Sequence, residues 1–327
     1  YILNMENPEV TIVIPTINRP LKVIEAIKSI DNQTFKGNIF CTIVDSSDND
    51  ETKKLIDQYK TKKNNLKIKY IHNSESKRPI DNWIIGIEEF KTEYGKFLCD
   101  DDWLNEEFLE KTINKMDENK VDSVMTNIKV IKENGKDYPA YYKFESGLTN
   151  KKNIINSFLG IENILPVTPT ANLMKSKVLK ESFFESLKHI NCTKYLFGFD
   201  FFISYFSAFN GNGTFLLNED LSYSFAGNDS MTLNVKKAKI SYCYFFALIN
   251  LIESSNFSLN NQQKSLVQHK IATFRLKMLI SKEYKEFWLE NTFTPRLDIK
   301  KLIFSQFKKY YIKLNYFLKD SISKNIS

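Results

Sequence analysis

An unbroken apolar and β-branched run, Val10-Thr11-Ile12-Val13-Ile14, ended by Pro15, opens the regular patterning of the chain. Such a run lacks the polar alternation of a half-exposed strand and predicts one buried on both faces, as in parallel sheets. Leu21, Ile24, Ile27 and Ile30 then recur at helical spacing, with Pro20 suited to a first helical turn. The alternation continues with strands over residues 39–44, 66–71 and 97–99. Between them come helices from Asp50 through Tyr59 and from Asp81 onward, the second carrying Trp83, Ile84, Ile87 and Phe90. Strand and helix alternating in this way predict an α/β doubly wound, mostly parallel sheet.

The pattern then becomes mixed. A helix over 106–116 precedes a strand over 121–131, and Asn134-Gly135 signals a hairpin that would bring in antiparallel pairing. A strand over 167–174, a helix from Ser176, an aromatic helix over 197–209 and short strands over 214–217 and 221–225 follow. From about residue 236 only helical patterns remain, over 236–253, 260–280, 282–291 and 298–320. The expected division is an α/β unit over 1–234, in halves 1–104 and 105–234, and a helical region over 235–327.

Composition narrows the class. With 327 residues, 42% of them hydrophobic and 14% aromatic, the chain can bury a sizeable core. Cys41, Cys99, Cys192 and Cys243 are far apart, and His72, His189 and His269 form no cluster, which argues against a disulfide framework or a zinc site. No basic-then-apolar leader and no bilayer-length apolar run stand out, so a reducing cytoplasm is the expected setting. The net charge of +7 is uneven. Residues 236–327 hold 17 Lys and Arg against 6 Asp and Glu, a net +11, and the remainder holds 29 against 33, a net −4.

Asp100-Asp101-Asp102 carries the densest chemistry. Three adjacent carboxylates at a strand end repel one another unless a cation or hydrogen-bond donors lie among them. Hard divalent ions such as Mg2+ and Mn2+ prefer carboxylate oxygens and share their shell with substrate phosphates. A solvated acidic turn capping the helix near Asn105 is the competing reading. Ligands of doubly wound sheets bind beyond the carboxyl ends of the strands. Pro15-Thr16, Asp45 and Asp100-Asp101-Asp102 all fall at such ends, which favours a ligand site over a simple cap.

Four segments carry a resemblance. Val10-Thr11-Ile12-Val13-Ile14-Pro15-Thr16-Ile17-Asn18-Arg19-Pro20, with Ser29-Ile30-Asp31-Asn32-Gln33-Thr34, resembles the opening of family 2 glycosyltransferases. Ile43-Val44-Asp45-Ser46-Ser47-Asp48-Asn49-Asp50 is similar to their Val-Asp-Asp-Gly-Ser-x-Asp segment, and residues 96–104 to their Asp-x-Asp metal motif. Phe197-Gly198-Phe199-Asp200 resembles their Gly-Glu-Asp segment. The similarity spans about residues 9–233. It implies a GT-A nucleotide-diphospho-sugar transferase fold, with 1–104 as the nucleotide-binding half and 105–234 as the acceptor side. The implied activity is inverting transfer from a nucleotide-diphosphate sugar, a UDP-sugar by expectation, to a hydroxyl of a glycan or lipid-linked glycan in bacterial surface polysaccharide.

The resemblance also assigns roles. Asp101 and Asp102 would hold Mn2+ or Mg2+, with Asp100 and Asp101 toward the ribose or nucleotide. The family's first aspartate falls at Cys99, so the motif is either shifted by one residue or substituted there. Asp45 would bond the nucleobase, although Ser46 replaces the second acid of that pair. Pro15, Thr16 and Arg19 would line the nucleotide pocket, and Arg78 would pair with diphosphate or nucleobase. Asp200 would accept the acceptor's proton, with Asp220 of Asn218-Glu219-Asp220 as rival. The Arg-x-His of many relatives is replaced by Ser224-Phe225-Ala226-Gly227-Asn228-Asp229, which leaves no evident third metal ligand.

Residues 300–314 mix lysine with aromatics at helical spacing, either as a helix peripheral to the inner face of an anionic plasma membrane or as one packed on the α/β unit. No nucleic-acid motif accompanies them. Two other functions remain open from the sequence, a non-catalytic nucleotide-sugar-binding or assembly module and a sugar-phosphate nucleotidyltransferase. The latter usually shows a Gly-rich phosphate loop, which the chain lacks.

Overall fold

The computed structural model describes residues 8–132, 144–162, 165–227 and 235–285. The buried run at the start forms β1 (Glu9–Thr16), which pairs in parallel with β2 (Asn38–Asp45) and with β4 (Tyr94–Phe97). The far side of β2 carries β3 (Leu66–His72), also parallel. The order β3-β2-β1-β4 means that the chain winds outward from β1 and then returns to its other side. The carboxyl ends of β1 and β4 therefore flank a topological switch point, where such sheets open a crevice.

The helices α1 (Pro20–Asp31), α2 (Glu51–Gln58) and α3 (Pro79–Ile87) make the crossovers. Pro20 and Pro79 stand in the first turns of α1 and α3, where a missing N–H costs nothing. The third helix thus starts ahead of the expected Asp81. Asp50 precedes α2 without a side-chain capping bond and pairs with Lys54 at 2.7 Å instead.

Beyond β4 the sheet turns mixed. β8 (Asn172–Lys175) runs antiparallel to both β4 and β6 (Ser123–Lys132), and β6 pairs in parallel with β9 (Thr214–Ala226). The short β5 (Trp103–Leu104) and β7 (Gly147–Thr149) both lie antiparallel on β9. The expected Asn134-Gly135 hairpin lies outside the described residues. The strand expected over 167–174 is shorter, because Pro169–Ala171 forms a 3-10 turn before β8. The two strands expected over 214–217 and 221–225 are one, β9, whose pairing with β6 shifts register around Asn127. That shift absorbs the polar Asn218-Glu219-Asp220 without ending the strand.

The remaining helices are α4 (Phe108–Asn119), α5 (Lys151–Leu159), α6 (Ser176–Ser186), α7 (Ile190–Thr193), α8 (Phe199–Asn210), α9 (Lys237–Ser254), α10 (Asn261–Ile280) and α11 (Lys282–Lys285). A capping box between Asn260 and Gln263 starts α10. Ile12, Ile27, Ile43 and Leu109 pack on one face of the parallel strands, and Val13, Trp83, Phe97 and Phe183 on the other. A third cluster joins Met125, Ile154, Phe201 and Tyr205 to Tyr242, Leu248 and Phe274. The helices after residue 235 therefore share a core with the preceding half. No helix among the described residues is long and apolar enough to cross a membrane. The helix expected over 298–320 and most of that over 282–291 lie outside the described residues.

Candidate active site

β4 stops at Phe97, two residues short of the expected strand end, although the Leu98 amide still donates to the Val13 carbonyl at 3.0 Å. The chain then turns, and each of the next three acids is held differently. Asp100 Oδ2 accepts from the Thr16 hydroxyl at 2.7 Å and its Oδ1 from Arg19 Nη1 at 2.9 Å. The same guanidinium nitrogen reaches Asp101 Oδ2 at 3.2 Å. Asp102 Oδ2 accepts from the Thr170 hydroxyl at 2.5 Å and its Oδ1 from the Phe225 amide at 3.2 Å. Thr16 ends β1 and Arg19 precedes α1, so the crossover after β1 delivers donors to the acids after β4.

Burial pushes the Asp100 carboxyl up to about 6, against the opposing pull of Arg19. Asp102 is raised too, first by burial and then by the neighbouring charge of Asp101. A divalent cation beside these groups would favour their ionised forms. Among the described residues no three His, Cys, Asp or Glu side chains converge to cage an ion. The donor set suits Mg2+ or Mn2+ nonetheless. Such ions take one or two protein carboxylates and complete their shell from substrate phosphates and water. Asp100 spans Thr16 and Arg19, Asp101 meets Arg19 through Oδ2, and Asp102 is held by Thr170 and the Phe225 amide, so each acid has a protein partner as well as a place on the turn.

Beneath the acids lies a buried ammonium. Lys96, 1% exposed, donates to the carbonyls of Pro169 and Asn172 at 3.0 Å each and to that of Thr170. Three acceptors match its three N–H donors and fix the 3-10 turn whose Thr170 hydroxyl holds Asp102. Burial lowers the Lys96 pKa to about 7.

A cavity of about 480 Å³ opens at the switch point. Of the residues singled out from the sequence, Pro15, Thr16, Arg19, Asp100, Asp101, Asp102 and Asp200 line it. Asp200 faces it from the first turn of α8, with Oδ1 accepting from the amides of Gly198 at 3.1 Å and Phe201 at 2.9 Å. Burial raises its carboxyl to about 6, against those bonds and one from the Tyr244 hydroxyl. Tyr244 stands on α9 and lines the same cavity.

Three expected participants stand elsewhere. Asp45 is fully buried outside the lining, with Oδ1 taken by the amide and hydroxyl of Ser47 and Oδ2 by the Tyr70 hydroxyl at 3.0 Å. Arg78 is turned to solvent and forks onto Asp81 at 2.9 and 2.7 Å, away from the cavity that Pro79 and Ile80 line. Asp220 pairs with Lys129 at 3.2 Å and is absent from the lining. Sequence reasoning missed Tyr244, Thr170 and Lys96. Tyr244 reads as one aromatic in an apolar helix, and Lys96 as one polar residue in a short strand. A lysine inside an otherwise buried strand was the one available signal.

Comparison with known proteins bears on the family and the fold. Residues 11–183 match the sequence model of glycosyl transferase family 2. A Campylobacter jejuni GalNAc(5)-diNAcBac-PP-undecaprenol beta-1,3-glucosyltransferase is 35% identical over 98 residues, 30% of this chain and 31% of that enzyme. A Staphylococcus aureus poly(ribitol-phosphate) beta-N-acetylglucosaminyltransferase, TarP, is 27% identical over 274 residues, 81% of this chain and 77% of the enzyme. Among solved structures, S. aureus TarS 1–349 in complex with UDP superposes with a TM-score of 0.58 at 17% identity, covering 87% of this chain and 75% of that one. The chain spans 44% of the longer TarS structure, at a TM-score of 0.57. The family match covers more than half of the chain and includes the strands and acids around the switch point, so this protein belongs to glycosyl transferase family 2 and has its GT-A fold.

Proposed function

We propose that this glycosyltransferase moves a sugar from a UDP-sugar to a glycan hydroxyl, with inversion and with a divalent cation. The observation that carries the reading is the placement of two separate acidic groups on one cavity, Asp100-Asp101-Asp102 at the end of β4 and Asp200 at the start of α8. Thr16 and Arg19 face the nucleotide side, and Asp101 and Asp102 would hold Mn2+ or Mg2+ against the diphosphate. Bound there, the ion would neutralise charge developing on the departing diphosphate. Asp200 accepts the proton of the attacking hydroxyl while the new bond forms at the anomeric carbon and the bond to the β-phosphate oxygen breaks. Among the described residues a single carboxylate, Asp200, lines the cavity apart from the β4 turn, which favours one direct displacement, hence inversion. With its carboxyl near 6, Asp200 is ionised at neutral pH yet basic enough to take the proton, so transfer should rise with pH through about 6.

The donor assignment draws on TarS, crystallised with UDP and with UDP-GlcNAc. The acceptor class draws on TarP and the Campylobacter enzyme, whose names give a polyol-phosphate polymer and an undecaprenol-linked glycan. A bacterial surface polysaccharide, capsule, O-antigen or lipooligosaccharide, fits both. The basic aromatic segment over 300–314 supports peripheral contact with the inner face of the plasma membrane.

Thermal unfolding against UDP, GDP, CDP and dTDP, with and without Mn2+, tests the donor side. UDP should raise the midpoint only when Mn2+ is present. Asp101→Ala should abolish that increment and Asp200→Asn should keep it. Equal stabilisation by UDP in Asp101→Ala would remove the metal from the reading.

A further inference from the structure

The Asp200 carboxylate is held on both oxygens. Oδ1 takes two backbone amides of its own helix start, and Oδ2 accepts the hydroxyl of Tyr244, 44 residues further along the chain. α9 also supports the backbone that donates to Oδ1. Gly198 has φ +102°, and a Cβ there would stand 2.6 Å from Asn191 Nδ2 and 3.2 Å from the Cys243 carbonyl oxygen. Asn191 Nδ2 donates to that carbonyl at 3.3 Å and to the carbonyl of Phe197 at 3.4 Å. Two successive residues of α9 thus grip the corner that carries Asp200, Cys243 through its backbone and Tyr244 through its side chain. The family match ends at residue 183, so this support comes from a part of the chain beyond it.

We propose that Tyr244 is a positioning residue for Asp200, its hydroxyl aiming Oδ2 into the cavity and stabilising the carboxylate charge. This rests on the reading of Asp200 as the proton acceptor. A carboxylate has room for two hydrogen bonds on each oxygen, so Oδ2 can hold Tyr244 and still receive an acceptor hydroxyl. Without the phenol, Oδ2 would be free to rotate among apolar neighbours and its charge would lose a donor in a buried site, where each bond counts most. Among the described residues, the titratable groups that interact with Asp200 are Tyr244 on α9 and Cys192 on α7, and Asp100, Asp101 and Asp102 line the same cavity. Burial holds the Cys192 thiol well above its ordinary value, so it is neutral near pH 7 and supplies no competing charge.

The test needs no substrate. Carbon-13 carboxyl NMR follows the titration of Asp200 in the full chain, with its resonance identified by its loss in Asp200→Asn. In Tyr244→Phe the Asp200 pKa should rise by roughly one unit, because a bond to the charged form is gone. Incorporating 3-fluorotyrosine at position 244, a stronger donor of nearly the same size, should move it down and guards against a Tyr244→Phe protein that folds poorly. An Asp200 titration unmoved by either change overturns the proposal. Failure of the proton-acceptor reading shows separately, as undiminished sugar transfer by Asp200→Asn with the titration shifts still present.

Discussion

The Asp200 carboxylate, the proposed proton acceptor, is kept basic by burial, and burial has a cost in stability. The Asp200 pKa of about 6 in the fold lies above its ordinary 3.8, so folding binds a proton between those values and stability falls as pH rises through that window. Asp200→Asn removes a charge that the fold holds at a penalty. At pH 8 it should stabilise the protein by up to about 3 kcal/mol while transfer is lost, and the gain should vanish near pH 3.5. Urea denaturation at the two pH values measures it. Lys96 is likewise held against a burial penalty, but it satisfies three buried carbonyls. Replacing it with Met strands the carbonyls of Pro169, Thr170 and Asn172 and should cost about 3 kcal/mol, read from the same denaturation curves. The Mn2+-dependent response to UDP should also weaken, since the Thr170 turn holds Asp102.

Elements made of contiguous apolar runs were readable because their burial is written locally. β1, β2 and β3 fall within a residue or two of their expected bounds, and the acids after β4 reach the cavity as the strand-end rule requires. Elements whose fate depends on distant partners were not readable. Asn218-Glu219-Asp220 looks like a break until β6 supplies a register shift opposite it. The protein partners of Asp45 and Arg78, Ser47 with Tyr70 and Asp81, could not be ranked from a string of letters. Tyr244 bonds an acid on another helix, which no local pattern reveals. Gly198 is the exception, a short-range signal with a long-range cause. Its left-handed backbone and the Asn191 amide leave no space for a methyl group. Gly198→Ala should therefore cost about 2 kcal/mol or more and depress transfer by displacing the start of α8, measured as melting temperature and turnover.

At the scale of the molecule, the helical region after residue 235 is joined to the preceding half by packing, where Phe201 and Tyr205 share a cluster with Tyr242, Leu248 and Phe274. The described part should unfold in a single calorimetric transition, and a chain ended at residue 234 should expose the α8 face and lose cooperative melting. One further feature bears on how a donor arrives. The acidic turn is short and tied at both ends, by the Leu98 amide to β1 and by β5 to β9 through Trp103 and Tyr223, and Asn105 adds a bond to the Leu221 carbonyl at 2.9 Å. A segment pinned in this way has given up its conformational entropy during folding. If the proposed donor binds at this turn, ordering the turn itself adds no entropic cost to its capture.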